Sequence, residues 1–463
     1  MATERARTPG PNQGPDSYMR PIEGDSRDPI PFYGLSETER KKAKEKLSKA
    51  IISDISALDF WVRQQTNGTD FRVDMYVAKP EEPIEPQPPE VIVPRLQEHR
   101  QEMQRIGLKN LPPEFTLVDL RLAALIAYEI ELQKTRLGEP QTEYQDYFRS
   151  INGYPPRLIP EQALDDSMDQ MFDALEKTGL RFTRTKPISV QVALRTYNMF
   201  NHLRTLQDIE AHYWRFARRY RFQLGILIGE DLNDVNYQVV WKSEDKFWKA
   251  WERIQLDGNE LWMNEHPRHI GEYNNAVVEG YSVHEDPHFV QGEVLRREIR
   301  RRNLDPVAGI ITIPGPDSFQ LEGLAQTTAD LGDLELTTDG RLGVTLYRSE
   351  KRALSNGLFY VASGASVEEV TETIRKYMPL KSIDEIRKLL REGTTKPFER
   401  AYLSVYGISD YELLQLQQKF GSGIRSFLLR NLYHNIRTRD QIMRGITLDL
   451  ESLLGYDPYP RGK

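Results

Sequence analysis

The sequence predicts an α+β protein, mostly helical, with an extended N-terminal arm, a long N-terminal helix, a central mixed region, a small antiparallel sheet and a C-terminal helical bundle. Three observations carry this expectation. Ser-x-x-Glu capping boxes open several apolar-periodic stretches. Apolar and polar residues alternate on both sides of Asp339-Gly340, as in a hairpin. Residues 1–35 are rich in Pro and Gly with almost no aliphatic side chains, so they cannot offset their own ordering entropy. At 463 residues, the chain is long enough for several cores. We divide it into an arm (1–35), a helical region (36–150), a mixed region (151–305), an antiparallel β region (306–363) and a helical bundle (364–463).

The elements follow in order. Ser36 and Glu39 form a capping box, and the pattern to Gln65 turns from charged to apolar through Ile51, Ile55 and Leu58. Asn67-Gly68 ends that helix, and Phe71, Val73, Met75 and Val77 alternate as a strand. Residues 79–94 carry many prolines and favour an extended, semi-rigid spacer. Helical patterns resume at Leu96–Ile106, Leu117–Arg136 and Glu161–Lys177, and an aromatic-rich one covers Val190–Gln223. Leu224–Ile228 and Val235–Trp241 read as short strands, and Phe247, Trp248 and Trp251 as part of a helix. Residues 257–287 read as loop, followed by a basic helix at 289–302. In 308–362 the hairpin about Asp339-Gly340 is flanked by strands at Gly309–Ile313 and Leu358–Ala362. Beyond it, Ser366/Glu369, Ser382/Glu385 and Ser409/Glu412 read as three further capping boxes of the bundle.

Composition narrows the chemistry. Cysteine is absent, which removes disulfides, thiolate metal sites and cysteine nucleophiles. The net charge of −7 argues against a protein coated in nucleic acid. The first residues lack the apolar core of a signal peptide, and no run approaches the ~20 apolar residues that span a bilayer. The expected setting is a virion or a host cytoplasm during assembly, without membrane contact.

Four histidines fall close together: His266 and His269, then His284 and His288, interleaved with Glu265, Glu272, Glu285 and Asp286. Imidazole and carboxylate donors suit Zn²⁺ or Mn²⁺, and two pairs could fill a four-ligand shell. Pro267 and Pro287 lie inside the pairs and argue against regular helical spacing or a known metal-site motif, so a polar loop carrying histidines is the competing reading. Asp165, Asp166 and Asp169 form a DDxxD pattern that resembles the Mg²⁺-diphosphate motif of isoprenoid synthases, although it sits after Pro160, where a helix start favours acidic residues in any case. Arg215, Arg218 and Arg219 alternate with aromatics, and Arg296, Arg297, Arg300, Arg301 and Arg302 form a second basic group. Both could contact nucleic acid or an acidic partner, but ion pairs with the chain's own 69 acidic residues are the favoured reading. Phosphate-loop, nucleophile-elbow and dinucleotide signatures are missing.

The leading functional expectation is therefore a non-enzymatic structural subunit without a cofactor. Most concretely it would be a bacteriophage virion component of the capsid, neck, portal or baseplate region, holding copies of itself or other subunits through extended segments. A metal-dependent enzyme built on His266, His269, His284 and His288 is the first alternative. A nucleic-acid-binding module using the arginine-aromatic helices is the second.

Overall fold

Ser36 and Glu39 make the reciprocal capping box expected of them, and α1 runs Glu37–Gln65. The computed structural model describes residues 36–446, apart from 81, 246–248 and 257. After α1 come β1 (Val73–Tyr76), α2 (Pro89–Ile106), α3 (Glu114–Leu137), α4 (Tyr144–Asn152), α5 (Glu161–Lys177), α6 (Pro187–Asn201) and α7 (Leu206–Ile228). Three strands follow, β2 (Gln238–Lys242), β3 (Ala250–Ile254) and β4 (Asn259–Asn264), then the single turn α8 (Pro267–Ile270) and the long α9 (Asn275–Arg300). The chain continues through β5 (Ile310–Thr312), α10 (Ser318–Leu331), α11 (Thr338–Ala362), α12 (Val367–Ile374), α13 (Ile383–Thr395), α14 (Pro397–Phe420), α15 (Arg425–His434) and α16 (Arg439–Gln441). The class is mostly helical α+β, as the sequence indicates.

The strands form one mixed sheet in the order β2-β4-β3-β1-β5. β2 with β4 and β1 with β3 are parallel, while β3 with β4 and β1 with β5 are antiparallel. Helix α9 lies on this sheet, and the largest core joins Met75, Ile254, Leu261 and Met263 to Phe289, Val290 and Val294. Gly292 permits the approach, because a Cβ there would overlap Ile254 of β3. Helices α7, α10 and α11 then surround α9.

Several expectations need correction. Only β5 lies in the 306–363 region proposed as antiparallel β; the rest is α10 and α11, and the sheet draws its other strands from 73–76 and 238–264. Asp339-Gly340 is not a hairpin turn but the first turn of α11, where the Thr337 side chain caps Gly340 N at 3.1 Å. Leu342 and Leu346 are four residues apart and fit a helix face as well as a strand face, so the alternation alone does not separate the two. Residues 224–228 close α7 rather than forming a strand, Trp251 lies in β3 rather than a helix, and most of 257–287 is β4 and α9 rather than loop. Ser366 and Ser382 do cap helices. Ser409, however, sits inside α14 and donates back to Val405 O at 2.8 Å. The 79–94 spacer is only half extended, since Pro89 takes the N1 position of α2 and Pro94 lies within that helix. The arm 1–35, Phe247, Trp248 and the end of the bundle after 446 lie outside the described residues.

Helices α9 and α11 meet glycine to glycine. A Cβ on Gly343 would overlap the Ala276 carbonyl, and one on Gly280 would lie 3.3 Å from the Gly343 carbonyl carbon. Gly343→Ala gains at most about 1 kcal/mol of helix propensity, whereas overpacking against backbone costs about 1–3 kcal/mol. The variant is expected to unfold at lower urea with an unchanged m-value; a higher midpoint would show that the helices separate freely.

Candidate metal centre

Residues 284–288 read His-Glu-Asp-Pro-His, and the structure makes them two turns of α9. At 100° per residue, His284, Glu285 and His288 share one face and Asp286 points the opposite way. Asp286 indeed faces α7 and the 230–239 segment, where it accepts from Arg221 Nε at 3.2 Å and from the Tyr237 hydroxyl at 2.5 Å. This buried pairing fixes the rotation of α9 and so aims the two imidazoles inward. Pro287 does not break the helix, contrary to expectation; it is buried in the middle of α9.

The third member comes from α10. Glu322 Oε2 lies 3.4 Å from His284 Nε2 and 3.9 Å from His288 Nε2. One donor atom from each of His284, His288 and Glu322 falls within 4.8 Å of the others, all buried. Tetrahedral zinc with bonds of ~2.0–2.1 Å needs donors about 3.3 Å apart, so small side-chain adjustments would close the shell. Glu322 Oε2, both nitrogens of His288 and His284 Nδ1 are buried without a hydrogen-bond partner. Such orphaned polar atoms are rare in a folded interior, and two of them, His288 Nε2 and Glu322 Oε2, face the same space as His284 Nε2, where an ion would account for them. The other Glu322 oxygen accepts from the Tyr402 hydroxyl, which fixes its orientation.

Glu322 is positioned through the start of α10. Buried Arg121 of α3 binds Asp317 with Nε–Oδ2 at 2.7 Å and Nη2–Oδ1 at 2.8 Å, and its Nη1 donates to the carbonyls of Val307 and Ala308 at 3.1 and 3.0 Å.

Behind His288 stand two more buried carboxylates. Glu252 of β3 lies 3.8 Å from His288 Nδ1, and Glu252, Glu285 and His288 form a second close group. Asp74 of β1 adjoins them and accepts from Trp251 Nε1 at 3.1 Å. Burial pushes Glu285 up to about 7, with Glu322 adding to the rise and His284 opposing it. Burial raises Asp74 to about 7 and Glu252 well above the carboxylate range. It lowers His288 to about 4, which leaves the imidazole neutral, the form that binds metals. Burial would raise Glu322 as well, but His284, His288 and the Tyr402 hydroxyl outweigh it and hold the group below its ordinary value.

One wall is aromatic. The rings of Tyr347 and Tyr406 lie 5.6 and 6.1 Å from His284, and Tyr402 stacks on Trp251 at 5.9 Å. Between Tyr347 and Tyr406 sits Lys351 of α11, its ammonium 4.7 and 4.3 Å from their ring centres. Burial lowers its pKa to about 8. Tyr347 and Lys351 are only part-buried, so the cluster meets solvent on the α11 side.

The other sequence candidates separate from this centre. His266 and His269 lie at α8 and belong to none of the ligand-distance groups found among the described residues, so the four-histidine shell is not formed. Asp165 accepts from the Tyr377 hydroxyl at 2.7 Å and Asp169 lies 4.0 Å from Arg184, so the DDxxD residues serve local pairing. Arg297 pairs with Glu230 at 2.6 Å, Arg296 with Glu293 at 2.5 Å, Arg300 with Glu293 at 3.0 Å and Arg301 with Glu298 at 2.8 Å. Arg219 lies 3.4 Å from Glu335, and Arg215 and Arg218 lie over Phe216 and Trp214. Arg302 follows the C-cap of α9 in a left-handed conformation. A third group, Glu230, Glu298 and His434, is already neutralised by Arg297 and Arg301. Two surface grooves, of 640 and 1220 Å³, run along residues 236–238 and contain none of the His–Glu cluster.

No family model matches the chain, and no curated protein does. Two solved structures share a distant likeness. One, described as "the putative lipoprotein from Colwellia psychrerythraea", is 12% identical with a TM-score of 0.49; the alignment covers 77% of this chain and 64% of that one, under two thirds of its length. The other, "a putative lipoprotein of unknown function from Shewanella oneidensis", is 13% identical with a TM-score of 0.44, covering 78% and 72%.

Proposed function

We propose that the protein is a zinc-dependent hydrolase of the metallopeptidase type. The observation that carries this reading is the helical His284-Glu285-x-x-His288 face converging with Glu322, a His₂Glu donor set that leaves a fourth position open. When bound there, zinc supplies a Lewis acid and lowers the pKa of water.

The chain's own residues do the rest. Glu285 accepts the proton of the attacking water as its oxygen bonds to the carbonyl carbon and the carbonyl π-electrons move onto oxygen. The C–N bond then breaks, Glu285 returns the proton to the leaving amine, and an acid and an amine result. Glu252 lies 3.8 Å from His288 Nδ1, and a small side-chain adjustment would make it the carboxylate that orients a metal-bound histidine from behind. The buried aromatic wall excludes bulk water and strengthens charge interactions inside.

The assembly-subunit reading rests on the arm and the spacer; the arm lies outside the described residues and part of the spacer is helix. The metal centre has direct geometric support, so it takes precedence.

Elemental analysis of purified full-length protein tests the proposal. About one zinc per chain is expected, removable by a chelator with a drop in melting temperature, because binding to the folded state alone stabilises it. Cleavage of a mixed peptide library, followed by mass spectrometry, should stop on chelation and return with zinc. A metal-free protein whose melting is unmoved by added zinc would exclude the reading.

A further inference from the structure

Lys351 stands apart from the other lysines near the centre. Lys249 is paired with Glu272, and Lys381 lies 3.8 Å from Glu350. Among the described residues no carboxylate lies within ion-pair distance of Lys351; its partners are the faces of Tyr347 and Tyr406. Those same rings contact His284. The ammonium therefore shares two aromatic neighbours with a metal ligand, on the side where the cluster meets solvent.

The arrangement is built rather than incidental. Tyr347 and Lys351 are one turn apart on α11, so they project together. Tyr406 is brought to them by Gly407, whose missing Cβ would lie 2.7 Å from the Lys351 carbonyl oxygen. A buried ion network locks the same crossing: Asp410 of α14 accepts from Arg348 at 2.9 Å and from Arg352 at 2.6 Å. A part-buried cation held only by π-faces keeps its hydrogen-bonding capacity for an incoming anion, since rings satisfy charge but accept no strong hydrogen bond.

We infer that Lys351, framed by Tyr347 and Tyr406, holds the negative oxygen of a tetrahedral oxyanion on the open side of the metal centre, and is thus a catalytic residue of the proposed hydrolase. The ligand class is a tetrahedral oxyanion: the hydrated carbonyl formed during amide hydrolysis, for which inorganic phosphate is a surrogate. The inference rests on the metal reading. Stabilising developing negative charge in a site shielded from water is where a fixed cation acts most strongly.

The test uses the full chain loaded with Co²⁺ in place of zinc, whose visible absorption reports ligands entering the shell. Inorganic phosphate probes the tetrahedral oxyanion; acetohydroxamate, a metal chelator, probes the metal alone. Lys351→Met is expected to weaken phosphate about 10- to 100-fold, the worth of a hydrogen bond to a charged group. Acetohydroxamate should change by no more than about twofold. Lys351→Arg, which keeps the charge, should restore most of the phosphate affinity and controls for folding. Unchanged phosphate binding in Lys351→Met overturns the inference, as does equal weakening of both probes, which would mean a distorted shell. The cobalt band is read before any anion is added: its absence in the parent protein sinks the metal reading, and this inference with it, whereas a normal band with phosphate indifferent to residue 351 sinks the inference alone.

Discussion

Glu285→Gln is expected to keep about one zinc per chain while hydrolysing peptides roughly 10²- to 10⁴-fold more slowly, the range that a positioned general base contributes. Glutamine matches the shape of glutamate but cannot take a proton from water. Zinc is retained because His284, His288 and Glu322 form a complete three-residue group without Glu285. The same variant separates two ways of using the cluster. Glu285 also belongs to the group with Glu252 and His288; if an ion were held there, Glu285→Gln would lose metal along with activity. Zinc content and rate measured on one preparation decide the matter. Parental turnover with zinc in place would remove Glu285 from the mechanism.

What was legible in the sequence was local. The capping boxes at Ser36, Ser366 and Ser382 depend on four consecutive residues and formed as read. Ser409 and Glu412 have the same spacing, but the Ser409 hydroxyl turns back to Val405 and Glu412 pairs with Arg439 at 2.6 Å, because α14 is buried on most sides and tertiary partners outbid the cap. The expectation that the histidines follow no known metal-site spacing is wrong for the second pair: His284-Glu285-x-x-His288 is an HExxH spacing, which puts all three side chains on one helical face. Pro287 concealed them: an interior proline costs a helix about 3 kcal/mol, which argues for loop unless packing offsets it. Here α9 is buried along almost its whole length, and contacts with the sheet and three helices supply that offset. Glu322, Glu252, Tyr406 and Lys351 carry no local signal, because each reaches the centre from a different element. Only the tertiary fold shows that the second pair of histidines takes a glutamate as its companion rather than the first pair.

The centre's geometry also rests on a contact remote from its ligands, and Asp317→Ala is expected to destabilise the protein by about 3–5 kcal/mol. Arg121 and Asp317 are 1% and 0% exposed in their side chains, and the pair spans α3 and the start of α10. Removing the carboxylate leaves a guanidinium buried with only the carbonyls of Val307 and Ala308 to satisfy it. The loss is mainly the cost of an uncompensated charge rather than the worth of the pair. The double variant Arg121→Met with Asp317→Leu removes both charges at similar volume and should therefore recover most of the stability, the remaining loss being that of the hydrogen bonds from Arg121 to the Val307 and Ala308 carbonyls. Urea unfolding of the parent, Arg121→Met, Asp317→Leu and the double measures the cycle. Additive losses across it would show that the pair contributes by packing alone. Because α10 carries Glu322 five residues beyond Asp317, the single variant should also bind zinc more weakly than the double at equal folded fraction, which ties the placement of the third ligand to this buried pair.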